Sequence, residues 1–267
     1  MAIGFPDIDP IIVSFGPFAI RWYALAYVVG ILGGWWYIGK LNRREPQILS
    51  AKQFDDIMLW AVFGIILGGR LGYVLFYQPA YFLSNPIEIL QMWHGGMSFH
   101  GGLIGTILAT YLFSRKNKLA FWSVVDLLAC ATPLGLGLGR LANFINGELY
   151  GRATDVAWAV MFPMGGFIPR HPSQLYEAFL EGVVLFSLLA WLALKTRARM
   201  QPGFISGVFL VGYATARMIV ECFREPDEQL GFLLGGNVTM GQLLSLPMLL
   251  FGIYLMQRAM RMKIVRS

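Results

Sequence analysis

Long apolar runs, broken by short polar and often basic stretches, divide this chain into seven segments. They cover roughly residues 19–38, 57–77, 97–114, 119–138, 178–194, 203–221 and 240–257. Each approaches the roughly 20 residues that carry a helix across the hydrocarbon core of a bilayer. Glycines are dense in the third and fourth, as is common in membrane helices. Residues 139–177 read differently, being rich in polar groups, glycines and prolines. That stretch is expected to be a polar loop region, with interfacial or re-entrant pieces whose backbone is shielded by protein or water. The pattern therefore predicts an all-α, polytopic integral membrane protein with seven transmembrane helices in one domain spanning 1–267.

Composition agrees. Hydrophobic residues make up 57% of the chain and charged residues 13%, against about 25% charged in soluble domains. A net charge of +6 raises the question of nucleic acid. The positive charges lie between apolar runs, so that reading is excluded. Cys130 and Cys222 make neither a disulfide framework nor a metal signature, and both are expected to be buried. The first residues, "MAIGFPDIDP", are acidic and lack the basic start of a secretory signal, so the first helix is expected to stay.

Charge distribution predicts the topology. Lys40, Arg43, Arg44 and Lys52 follow the first run; Arg115, Lys116 and Lys118 follow the third; Lys195, Arg197 and Arg199 follow the fifth; Arg258, Arg261, Lys263 and Arg266 follow the seventh. Seven alternating spans place all of them on one side, which the positive-inside rule makes cytoplasmic. The N-terminus is then outside and the C-terminus inside. The remaining basic residues are all arginines: Arg21, Arg70, Arg140, Arg152, Arg170, Arg217 and Arg224. Arginine suits a planar, multidentate grip on phosphate or carboxylate.

Several polar blocks converge at one depth on the outer side: "RWYALAY" (Arg21–Tyr27), Arg70, "WHGGMSFHGG" (Trp93–Gly102), "GRLANFINGELYG" (Gly139–Gly151), "RHPSQLYE" (Arg170–Glu177) and "ARMIVECFREPD" (Ala216–Asp227). Intramembrane charge is expensive and faces a cavity or a partner. Arg217 and Glu221 share a helix face, as do Glu177 and Glu181, and Arg224 continues the first face if the helix persists. Interhelical ion pairs would explain these groups. So would an outward polar cavity with arginines left to meet an anion, the reading favoured for Arg140 and Arg217. His94 reads as interfacial. His100 is either a buried donor to a carbonyl or a proton acceptor. His171 reads as structural, with Ser173 capping the following helix and Pro172 restricting the turn. The histidine spacing argues against zinc, and no "HExxH" or "GxSxG" occurs. "GIILGGRLG" (Gly64–Gly72) and "GLGLGR" (Gly135–Arg140) read as close helix packing. On these grounds alone a transporter for an anionic lipid competes with an enzyme, although no internal repeat of the kind many transporters carry is evident.

The chain closely resembles the bacterial prolipoprotein diacylglyceryl transferase family. Gly139, Arg140, Ala142, Asn143, Phe144, Ile145, Asn146, Glu148 and Gly151 satisfy its signature, and "HGGLIG", "HPSQLYE" and "FREPD" match further blocks. The resemblance implies transfer of the diacylglyceryl group of phosphatidylglycerol to the lipobox cysteine of a prolipoprotein, releasing glycerol phosphate. The acceptor thiol belongs to the prolipoprotein signal peptide, and no metal or organic cofactor is implied. The resemblance also implies an inner-membrane enzyme working on the periplasmic side, here taken to act as a monomer. Tyr23, His100, Asn143, Glu148, Gly151 and Glu221 are site positions by this resemblance. Arg140, helped by Arg217, is expected to hold the phosphate, with Arg70 and Arg224 nearby and Asn146 orienting glycerol hydroxyls or the loop. His100 is the first choice of proton acceptor. Glu148 is the alternative, and a third possibility is that the arginines alone lower the thiol pKa.

Overall fold

A computed structural model describes residues 2–6, 8–16, 18–92, 95–225 and 238–262. The helices are α1 (Trp22–Asn42), α2 (Ala51–Phe76), α3 (Pro79–Ser84), α4 (Phe99–Lys116), α5 (Phe121–Ile145), α6 (Ser173–Glu177), α7 (Leu185–Lys195), α8 (Phe204–Glu221) and α9 (Met240–Arg261). A π-helical turn, Ala178–Val184, joins α6 to α7. Among the described residues, six helices are long and apolar enough to cross a membrane: α1, α2, α5, the continuous Ser173–Lys195, α8 and α9. The architecture is all-α and polytopic. The third expected segment is α4, 18 residues long; its histidine, glycines, threonines and terminal Arg115 and Lys116 dilute its hydropathy.

The boundaries depart from expectation where backbone pairing intervenes. The first apolar run begins as a hairpin, β2 (Ile11–Phe15) against β3 (Phe18–Arg21), so α1 starts at Trp22. Gly16 holds the turn at φ +57°, a conformation open to glycine at no steric cost. The expected loop 139–177 is shorter at both ends, because α5 runs on to Ile145 and the next helix starts at Ser173. Between them lie β4 (Val160–Met161) and β5 (Pro169–Arg170), which form a small sheet with β1 (Ile3–Gly4).

The chain packs as two compact units, residues 42–125 and residues 1–41 with 126–267. In the first, α2 and α4 run antiparallel on a ladder of glycines. A Cβ on Gly105 would strike the Gly64 carbonyl, one on Gly68 the Gly101 carbonyl, and one on Gly72 would lie 2.7 Å from the Gly101 Cα. The helices therefore touch backbone to backbone, the contact that small residues permit in membranes. Ser50 and Gln53 form a reciprocal capping box at the start of α2.

In the second unit, Gly30 lies against Gly135, Gly137 against Gly182, and Gly207 against Gly252. Helix α8 has no capping side chain of its own, since Gly203 occupies that position at φ +96°. The buried Asp126 carboxylate on α5 serves instead: it accepts from the Gly203 N–H at 2.8 Å, the Ser206 N–H at 2.7 Å and the Ser206 hydroxyl. It satisfies donors that a helix start leaves open and adds a negative charge where the helix dipole favours one. Asp126→Ala should lower stability by about 2–4 kcal/mol, from a lost cap and orphaned buried donors. Thermal unfolding of the detergent-solubilised protein checks this, and an unchanged midpoint would refute it. Cys130 is buried as expected, whereas Cys222 is exposed. Cys222 follows the last residue of α8, where its thiol lies 3.5 Å from the Met218 carbonyl.

Candidate functional site

Helix α5 delivers the first polar groups. Asn143 sits on its last turn, and a tight turn through Asn146 and Gly147, at φ +68°, folds the chain back. The Glu148 N–H then donates to the Asn143 carbonyl at 3.1 Å. Its carboxylate oxygen Oε1 accepts from both Asn143 Nδ2, at 2.8 Å, and Asn146 Nδ2, at 3.0 Å. Two amides thus orient one carboxylate. The backbone here is fixed from α6: Gln174 donates to the Glu148 carbonyl at 2.6 Å and the Ser173 hydroxyl to the Leu149 carbonyl at 3.0 Å. This corrects the expected helix cap. Ser173 is the first helical residue, Pro172 holds the cap position without a side-chain bond, and the serine hydroxyl serves the loop.

Beside this turn lies a cluster of three arginines and three glutamates. Glu177 is its hinge. Its Oε2 is 2.7 Å from Arg140 Nε and its Oε1 is 2.8 Å from Arg217 Nη1. Arg217 Nη2 also pairs with Glu221, four residues on. Glu181 Oε2 lies 3.7 Å from Arg140 Nε. Helix α8 ends at Glu221, yet Arg224 Nη1 still reaches within 3.9 Å of Glu221 and 4.0 Å of Glu177. Glu177 and Glu181 are fully buried, while the side chains of Arg140, Arg217 and Arg224 retain 18%, 13% and 11% exposure. The carboxylates form the floor and the guanidiniums the more open layer. Such burial requires pairing, because an isolated buried charge is very costly. Arg140 approaches both carboxylates through Nε, and its guanidinium also hydrogen-bonds with the Tyr213 hydroxyl.

Three other outer arginines, Arg152, Arg170 and Arg70, donate chiefly to backbone carbonyls. Arg152 donates to the Arg224 carbonyl at 2.8 Å and the Glu221 carbonyl at 3.0 Å, which closes the end of α8. Arg170 donates to the Gly165 and Gly151 carbonyls and pairs with Glu225 at 2.8 Å. Arg70, expected to bind substrate, lies in the 42–125 unit. All five of its N–H groups are spent on the carbonyls of Glu88, Ile89, Gln91, Gly95 and Gly96. With no donor left over, it shapes a loop.

Gly151 lets three strands of chain pass. Its N–H donates to the His171 carbonyl at 2.8 Å and it bridges to Arg224. A Cβ there would lie 2.5 Å from the Phe223 carbonyl and 2.7 Å from the His171 Cβ and carbonyl. Gly151→Ala should therefore separate the ends of α5 and α8 and cost at least about tenfold in activity, as misplacement of positioning groups does. Wild-type turnover in that variant would show that the crossing relaxes freely. His171 itself is held by the Tyr176 hydroxyl, 3.1 Å from Nδ1, and that hydroxyl also accepts from Trp158 Nε1 at 2.7 Å. Partial burial pushes the His171 imidazole below its ordinary pKa, toward the neutral ring.

Tyr23 stands on the first turn of α1, its hydroxyl 3.4 Å from that of Tyr27, within electrostatic reach of Glu148 and Arg140. Tyr23, Arg140, Asn143, Asn146, Glu148, Gly151, Arg217, Glu221 and Arg224 all belong to one compact unit. His100 belongs to the other. It is exposed on the first turn of α4, edge-on to Phe99, with the Ser98 hydroxyl capping the helix. Trp93, His94, Pro226, Asp227, Lys263 and Arg266 lie outside the described residues. Sequence reasoning put Glu177 in the converging outer block and on a face with Glu181 without naming it a site position, and it gave Gln174 no role. Their signal was the block "HPSQLYE", which carries both within its last four positions.

Comparison with known proteins bears on this arrangement. A family model described as prolipoprotein diacylglyceryl transferase matches residues 10–258. A Rhodospirillum rubrum protein named phosphatidylglycerol–prolipoprotein diacylglyceryl transferase is 61% identical over 264 residues, covering 98% of this chain and 96% of the relative. Proteins of the same name from Brucella anthropi and Brucella canis are each 54% identical over 267 residues, covering 97% of this chain and 95% of theirs.

Proposed function

Because the chain belongs to the prolipoprotein diacylglyceryl transferase family, we propose that Arg140 and Arg217 receive the phosphate of the lipid it consumes. The enzyme transfers the diacylglyceryl group of phosphatidylglycerol to the lipobox cysteine of a prolipoprotein. The cysteine sulfur forms a bond to the terminal carbon of the diacylglyceryl group. The bond from that carbon to the phosphate oxygen breaks with its electron pair, and glycerol phosphate departs. The thiol proton passes to a base, because the thiolate is the nucleophile and a free cysteine has a pKa near about 8.5.

One observation carries the assignment. Glu177 ties Arg140 and Arg217 to a single buried carboxylate, Arg140 through Nε and Arg217 through Nη1. Donors fixed in advance where negative charge develops stabilise a transition state without reorganising. Arg224 and Glu221 complete the frame. Asn143 and Asn146 orient Glu148, Gly151 keeps the crossing tight, and Tyr23 lies within electrostatic reach of Glu148 and Arg140. His100 takes the thiol proton in this reading, and Glu148 is the alternative acceptor. The sulfur belongs to the substrate, so Cys130 and Cys222 have no part.

The same reading puts α4 across the membrane as a seventh span, the N-terminus outside and the arginine cluster toward the periplasm of an inner membrane. Basic residues support it: they occupy the last turns of α1, α4, α7 and α9 and are missing from those of α2, α5 and α8. Only a crossing α4 keeps all four basic ends on one face. Purified protein with phosphatidylglycerol and a lipobox peptide should yield a peptide heavier by one diacylglyceryl group. An unmodified peptide from well-folded protein would overturn the activity. Labelling of single cysteines placed beside Arg140 and Arg217 should occur from the periplasmic side for both; labelling from opposite faces would overturn the site.

A further inference from the structure

Glu181 is the one cluster member whose place the ion-pair geometry does not require. Arg140 already has Glu177 at 2.7 Å. Glu181 is fully buried, neither of its oxygens is hydrogen-bonded among the described residues, and its nearest cation is Arg140 Nε at 3.7 Å. It rides on the π-helical turn Ala178–Val184, a rare local winding frequently seen at functional sites. The next residue, Gly182, is pressed against Gly137 of α5, so the turn cannot rotate the carboxylate away. A buried carboxylate without hydrogen bonds is a cost that apolar packing would avoid. What Glu181 adds beneath the arginines is charge.

Reaction chemistry gives that charge a use. The lipid phosphate is a diester with one negative charge. The departing glycerol phosphate is a monoester carrying about −1.5 to −2 near neutrality. A group of arginines strong enough to hold the first would hold the second more tightly and keep its own product. We propose that Glu181 is a positioning residue that sets the charge balance of the arginine cluster, so that the dianionic product is released instead of trapped. With Glu177 and Glu221 it brings the three arginines to balance, three carboxylates against three guanidiniums. The proposal rests on the reading that Arg140 and Arg217 hold the phosphate.

The test is product inhibition. Glu181→Gln keeps the shape and removes the charge. It should lower the inhibition constant of glycerol phosphate by about tenfold, lower the KM for phosphatidylglycerol by less, and reduce kcat as release slows; added electrostatic attraction acts most on the more highly charged ligand. A merely structural role would weaken product binding or leave it unchanged, and either result overturns the proposal. Should Glu181→Gln fail to accumulate, the wild-type protein still decides. Its affinity for glycerol phosphate should lie within a few-fold of that for the methyl ester of glycerol phosphate, a monoanionic diester, and a preference for the dianion above about tenfold would overturn charge balancing. If neither compound inhibits the wild type, phosphate binding by the arginines fails first, and the balance proposal falls with it.

Discussion

Arg140→Lys is expected to lower diacylglyceryl transfer by about 10²–10³-fold, the scale on which one preorganised donor to a developing oxyanion matters. The substitution keeps the positive charge beside Glu177 and Glu181 and so keeps the buried carboxylates partnered. What it removes is the fork. Arg140 meets Glu177 through Nε at 2.7 Å and has further N–H groups in a planar fork to offer a ligand, whereas an ammonium has a single nitrogen to divide between the two. Arg140→Ala should abolish transfer and also lower stability by about 3–5 kcal/mol, because it strands buried charge. Membrane insertion, set by apolar runs, should survive both. Near-normal transfer by the lysine variant, with purified lipid and peptide, would remove Arg140 from the phosphate site.

His100→Asn is expected to cost about 10²–10⁴-fold, the usual contribution of a positioned acid–base group. Asparagine retains hydrogen bonding but cannot accept the proton. Glu148→Gln is the paired experiment. Its side-chain oxygen can still accept from Asn143 and Asn146, whose amides lie 2.8 and 3.0 Å from the carboxylate. It should therefore slow transfer by less than His100→Asn does. The reverse order, with the larger loss in Glu148→Gln, would move the base to Glu148. Small losses in both variants would leave ionisation of the thiol to the arginines.

Helix positions were legible along the chain because apolar length is a local property. Seven runs correspond to α1, α2, α4, α5, the Ser173–Lys195 helix, α8 and α9. The hairpin before α1 was not legible, since Ile11, Ile12, Val13, Ala19 and Ile20 are as apolar as the helix they precede. Its signal was the glycine–proline pair at 16–17. The site was legible in kind but not in assignment. Arg70, Arg152 and Arg170 resemble Arg140, Arg217 and Arg224 in sequence, yet the first three donate largely to carbonyls and the last three reach carboxylates. Those partners lie in other segments, 40 residues away for the Arg217–Glu177 pair. Residue type announces that an arginine needs a partner; only the fold says which one. For the same reason the sequence shows Glu177 only as sharing a helix face with Glu181, since its role comes from two arginines on two other helices.

The glycine ladder between α2 and α4 restricts how this protein can change over generations. Where side chains fill an interface, a larger group on one helix can be offset by a smaller one opposite. Here Gly64, Gly68, Gly72, Gly101 and Gly105 meet with nothing left to trim. A methyl gained at Gly105 has no reciprocal deletion, so recovery of function should come only by reversion and never by second-site suppression across this seam.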